Sequence, residues 1–596
     1  MPRRISSRTT LDHLKREAKR WLAALRANDP TARARLEAAV PDAPAAPALR
    51  HVQHALAREQ GFPGWAALKE HLARHQPDDT ERALLLARFL DNACPDHHVR
   101  GGPDHVRARH TALRLLERYP ELRHASFAAA AVCGELQEVS RQLARRPQLA
   151  VEKDGTPNAE REGSASSGDV MRKDLGKKGW EPLLYVCFTR LPLPAVDANA
   201  VAIARLLLDS GADPDAFFMA GGSRYTPLVG AIGEGEEDRP PHPRRDALVR
   251  LLLERGAEPY DIQVIYNIHF HGQVLWFLEL IYDRSLELGR RSDWDDPEWS
   301  MLGMGGYGSG ARWHLWIAIR QNDVRLAEWC LSHGASPDPA PPRAQNLPQG
   351  PLYEYAVRAG RTEIADLLVR YGATPTPVRV DGIDAFIAAC LRLDRDAIRA
   401  QLAEHPEYLQ APEPMLAAAE LDRVDILELL LDLGVSPDVA NAQNERPLHA
   451  AAYHNALDAA TLLMARGAEI DPVESNWGNT PLGAAVYPQH RAMIDLLAPH
   501  SRDVWQLTYT GKLDRLREVL SETPERARVV AGGHTPLMWL PPEDETVALE
   551  VARVLIGHGA NASLRNEDQM TAADRAERLG MFRVAAFLRD AASTRR

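Results

Sequence analysis

The chain has 596 residues, 45% of them hydrophobic and 26% charged. That composition is ordinary for soluble protein, and the length exceeds one compact core, so several domains or a solenoid are expected. The net charge of −11 argues against nucleic acid as a partner, and no apolar run is long enough for a membrane span. Five scattered cysteines (Cys94, Cys133, Cys187, Cys330, Cys390) lack CxxC spacing, which fits a reducing compartment and buried apolar roles. No signal-peptide-like segment follows the basic start, so a cytoplasmic location is expected. Heavy Ala and Arg usage suggests a bacterial source.

Residues 1–76 read as a helical module. Leu11, Leu14, Ala18, Trp21, Leu22 and Leu25 form one apolar stripe, and Leu49, Val52, Ala55 and Leu56 form a second. Asn28-Asp29-Pro30 separates them, and the turn Gly61-Phe62-Pro63-Gly64-Trp65 feeds a third helix through Leu68 and Leu72. Residues 80–150 read as degenerate helical units that end on Tyr119-Pro120-Glu121-Leu122 and Arg146-Pro147-Gln148-Leu149. Residues 151–178, rich in Gly, Ser, Lys and Asp, lack periodicity and read as a flexible loop. Residues 179–290 hold repeat-like units with insertions at 230–243 and 260–271. Residues 291–311 are a Gly/Trp-rich loop, 312–500 are regular units, and 501–596 are C-terminal units with a cap. The irregular stretch 260–311 is where a stack could divide into two lobes.

The most regular unit lies between Asn444 and Leu497. Pro447-Leu448 and Pro481-Leu482 recur 34 residues apart, each opening a run of small apolar residues and then a second amphipathic segment. Thr480 is placed to cap a helix whose first position, Pro481, tolerates proline, and Gly467 is placed to end one. Gly434 and Gly467 keep a period of 33. Arg446-Pro447-Leu448-His449-Ala450-Ala451 resembles the TPLHxAA opening of the ankyrin repeat. The N-terminal segments 14–25 and 57–72 resemble a helical module that precedes such repeats in bacterial proteins. The resemblance implies an all-α, ankyrin-type helical repeat solenoid of about a dozen units, some degenerate, whose N-terminal module covers the exposed end of the stack.

Three patterns carry candidate chemistry. Glu234, Glu236 and His242 lie in the first insertion, and Asp261, Tyr266, Asn267, His269 and His271 lie in the second. In an extended strand His269 and His271 would face one side, and with His242 they could hold a divalent metal. The plainer reading is a solvated loop with polar capping residues. Gly303-x-Gly305-x-x-Gly308 matches a dinucleotide fingerprint by letter but lacks the preceding strand, so it reads as a loop. Trp294 and Trp299 either pack that loop down or offer an aromatic anchor to a partner. His449 and the cysteines read as structural.

The function expected from the resemblance is a scaffold that binds a protein or peptide through the concave face, with basic patches on the partner favoured by the acidic chain. No resident cofactor is expected under that reading. The alternatives are a metal-dependent enzyme built from the two insertions, and a host-directed bacterial effector. Partner identity is not written in any motif.

Overall fold

The computed structural model describes residues 11–27, 29–59, 62–65, 68, 79–97, 102–154, 179–235, 238–344, 347, 349–377 and 382–593. Most of the loop expected at 151–178 lies outside these residues. The fold is all-α. Among the described residues the one sheet is a hairpin, Phe218–Ala220 paired antiparallel with Ser223–Tyr225.

The N-terminal helices Leu11–Arg26, Pro30–Ala39 and Leu49–Glu59 enclose their own core around Leu14, Trp21, Leu36, Leu56 and Leu68. Asp29 caps the second helix by accepting from the Thr31 and Ala32 amides at 2.8 and 3.2 Å. Trp21 Nε1 donates to the Ala32 carbonyl at 3.0 Å, and Arg35 lies over the same ring while pairing with Glu17 and Glu59.

From Phe127 onward the chain alternates an inner helix with an outer helix, the inner one being the shorter in most units. The unit at 480–497 shows why. Thr480 Oγ1 accepts from the Gly483 amide, Pro481 occupies the first helical turn, and all six residues of Pro481–Val486 are buried. Small side chains there let inner helices approach closely. The outer helix Arg491–Leu497 turns Met493, Ile494 and Leu497 inward. Gly467, at φ 86°, takes the left-handed conformation that stops the preceding outer helix. Where Pro stands instead of Gly-Ala, the link becomes a single 3-10 turn, at Pro120–His124, Pro147–Ala150, Pro406–Gln410 and Pro524–Arg528.

The repeats bury two cores. One runs from Phe89 to Ala373 and the other from Phe386 to Leu588. The stack therefore does not divide at 260–311: that stretch is packed into the first core by Trp294, Trp299 and Leu302. The change of core falls between Ala373 and Phe386.

The first repeats also touch the last ones. Arg114 donates to the carbonyls of Leu579 and Pro542 at 2.8 and 2.7 Å, and Arg88 donates to Glu577 O at 2.8 Å. Arg107 lies 4.0 Å over Trp539, and Arg118 lies 4.2 Å over Phe582. Gly102 packs against the Tyr487 carbonyl with no room for a Cβ. The helices Asp79–Ala93 and Gly102–Arg118 thus lie along the carboxyl ends of the C-terminal inner helices.

Leu463 is fully buried in the second core. Leu463→Ala should cost about 2–5 kcal/mol in urea unfolding. Hydrogen exchange should place the lost protection within 386–588, and equal loss in both cores would contradict separate packing.

Candidate functional site

Neighbouring units are tied by a recurring carboxylate brace. An Asp in the loop that follows one unit accepts a backbone amide from the corresponding loop of the next unit. Asp215 accepts from Glu258, Asp338 from Thr374 and Asp438 from Glu469, each at 3.0 Å, and Asp471 accepts from Arg502 at 2.6 Å. A second brace joins inner helices: the capping hydroxyls of Thr226 and Thr480 donate to Asp261 and Asp503 at 2.6 and 2.7 Å. Each of those carboxylates caps its own helix as well. His449 spans three strands of backbone. Its Nδ1 accepts from the Arg446 amide, and its Nε2 lies 3.1 and 3.2 Å from the carbonyls of Pro472 and Asn479.

These ties hold a finger-like loop at 473–479. The buried Glu474 carboxylate accepts the amides of Asn476, Trp477 and Asn479. Ser475 donates its amide to Gln443 O at 2.8 Å, and Asn444 Nδ2 donates to Val473 O at 2.7 Å. The loop carries Trp477, which is 84% exposed, beside Val473 at 52%. Val530, in the equivalent loop further along, is 58% exposed. The indole thus stands in water on a backbone held by bonds to Glu474, Gln443 and Asn444, an arrangement that would lose little entropy on contact. The sequence signal for it was a tryptophan among turn-forming polar residues in Ser475-Asn476-Trp477-Gly478.

The residues singled out in the insertions do other work. Glu234 is buried and pairs with Arg239 at 3.0 Å. Glu236 lies outside the described residues. Asp261 is the cap and brace just described. Asn267 is buried and returns a bond from Nδ2 to the Gln263 carbonyl at 2.9 Å, and Tyr266 packs among Tyr307 and Trp313. The expected extended strand at 269–271 is not there. Asp261 starts the helix Ile262–Ile268, and His269–His271 continues it as a 3-10 turn. Residues two apart on such a turn point in different directions, so the same-side argument for His269 and His271 falls.

His242 is buried, with Nδ1 accepting from the Arg244 amide. Its Nε2 and that of His271 have no hydrogen-bond partner. Among the described residues no group of three or more His, Cys, Asp or Glu side chains is arranged to hold a metal. Trp294 and Trp299 are buried, 5.0 Å apart, with Trp294 Nε1 donating to Ser285 Oγ at 2.7 Å. They pack the loop down and present no anchor to a partner. The 303–308 glycines form a 3-10 turn at Gly305–Tyr307, and the helix Gly310–Gln321 begins on the Ser309 cap. All five cysteines are buried and none is in a disulfide, and burial pushes Cys133, Cys187 and Cys390 up to about 12.

A family model described as ankyrin repeats, three copies, matches residues 414–508. That segment is an ankyrin-repeat domain, and it contains both the His449 bridge and the Trp477 loop. The chain is 30% identical over 199 residues to the B-cell lymphoma 3 protein homolog of Mus musculus, covering 33% of this chain and 38% of that protein. It is 42% identical over 60 residues to Potassium channel KOR2 of Oryza sativa subsp. japonica, covering 10% and 8% respectively. The chain thus spans well under half the length of the curated relatives it matches. Among the described residues no helix is long and apolar enough to cross a membrane.

Burial holds the imidazoles neutral, at about 3 for His242 and about 4 for His269 and His271, against an ordinary 6.5. Their folded pKa values lie below the unfolded ones, so the unfolded chain takes up protons first. Stability should therefore be fully present above about pH 6.5 and fall as pH drops toward 4. Unfolding free energy measured between pH 7.5 and 4.5 should show that slope, reduced in His242→Gln. An unchanged slope in the variant would count against the assignment.

Proposed function

We propose that the chain is a protein-binding module that engages a protein or peptide partner through the loops and inner helices on the concave side of its C-terminal repeats, with Trp477 as the central contact. The ankyrin repeats at 414–508 support the class, since repeat stacks of this kind present extended concave surfaces. The observation that carries the particular surface is Trp477 itself, exposed on a loop whose amides are held by Glu474. Interface energy concentrates in such aromatic residues, and a preformed loop loses little entropy on binding. The net charge of −11 favours a partner with basic patches.

A divalent metal near the insertions is a second reading, favoured by one observation: the buried Nε2 atoms of His242 and His271 lack hydrogen-bond partners. Against it, Asp261 is committed to capping and Glu234 to Arg239. Elemental analysis of purified protein separates the readings. Stoichiometric metal lost in His242→Ala/His271→Ala would favour a metal site.

The binding reading is tested by affinity capture at physiological salt with wild type and Trp477→Ala. Because the indole is exposed, the substitution should leave the melting temperature unchanged. It should weaken retention of any specific partner by about tenfold or more, the scale of a tryptophan hot spot. Equal retention by both proteins would remove Trp477 from the interface, and no retained partner would remove the binding module.

A further inference from the structure

Three guanidinium groups surround one small cleft where the helices Asp79–Ala93 and Gly102–Arg118 meet the first insertion. Arg109, Arg190 and Arg239 line it together with His105 and Asn92, and among the described residues no carboxylate does. The cleft is small, with about 20 Å3 of room for the centre of a water-sized sphere, and it opens to solvent. Arg239 is fully buried. Its Nη2 donates to the main-chain oxygens of Pro95 and Asp96 and faces Glu234 Oε2 at 3.0 Å, but its Nε and Nη1 meet no acceptor.

Arg190 spends its nitrogens on the carbonyls of Pro240, Cys187, Thr189 and Gly230. Those neutral partners fix the side chain, and the carboxylate whose charge reaches it is that of Glu234, already shared with Arg239. Arg109 comes from a different helix, and the Glu543 charge that reaches it is already paired with Arg491. Burial works against the charged forms of both Arg109 and Arg190. Cations gathered in a low-dielectric cleft with one carboxylate behind them are costly unless an anion joins them. Guanidinium donors arriving from three chain segments match a compact, multiply charged oxyanion better than a planar carboxylate.

We propose that this cleft binds a phosphate group, held by Arg109, Arg190 and Arg239. The group is either the free ion or the terminal phosphate of a small metabolite, since the cleft opens to solvent. The site is separate from the Trp477 surface and does not depend on it.

The test is titration calorimetry of the full chain with inorganic phosphate and with glycerol 3-phosphate, at constant ionic strength. Saturable one-to-one binding is expected, with a rise in melting temperature beyond that of sodium chloride at equal ionic strength. Arg109→Gln should weaken binding about tenfold or more, the scale of one charged hydrogen bond, and Arg109→Lys should keep more of it. Tighter binding of glycerol 3-phosphate identifies a metabolite phosphate, and tighter binding of inorganic phosphate identifies the free ion. Arg109→Gln is the first variant because removing Arg239 would strand buried Glu234, and circular dichroism checks that it folds. Absence of saturable binding by either ligand, or equal binding by wild type and a folded Arg109→Gln, would overturn the proposal.

Discussion

A single pair of short helices cannot bury its apolar stripe alone. Stacking against the next pair is the constraint on which the rest of the structure depends. It explains why inner helices such as Pro481–Val486 are buried throughout while outer helices bury only one face. It also creates a polar problem, because every link between units exposes backbone amides near the stack. The aspartate braces at 215, 338, 438 and 471 answer it by accepting an amide from the next unit. The same bonds that satisfy those amides fix the register of one loop against its neighbour.

That register makes the loops candidates for recognition. A finger whose amides are largely committed can carry an indole into water without becoming mobile, and Glu474 does this for Trp477. The opposite ends of the inner helices are less available. The helices Asp79–Ala93 and Gly102–Arg118 lie against Tyr487, Trp539 and Leu579, so part of the inner surface is occupied by the chain itself. The free part of the inner surface is the loop side.

The fold was legible because turn chemistry and period agree. Thr480-Pro481 caps, Gly467 terminates, and the Pro406 variant forms a 3-10 turn in place of the Gly-Ala link. The candidate site was less legible. Asp261 and His269 have letters suited to metal chemistry, but Asp261 caps a helix and His269 sits at its end. A capping aspartate and a ligand aspartate look alike in one sequence. Trp294 and Trp299 were open to two readings, loop packing or a partner anchor, because their Gly-rich context did not show that both are core residues. The contact between Arg114 and Leu579 joins residues 465 apart, and no local pattern encodes it. The meeting of Arg109 with Arg190 and Arg239 likewise joins segments far apart in the chain.

On the proposed function, recognition resides in the regular C-terminal repeats, outside the insertions that interrupt the earlier ones. Hydrogen exchange of the chain with and without its captured partner tests it most directly. New protection concentrated at 438–445 and 473–479 is the predicted result. Protection confined to 238–243 and 260–311, with the Trp477 loop exchanging as in the free chain, would contradict it.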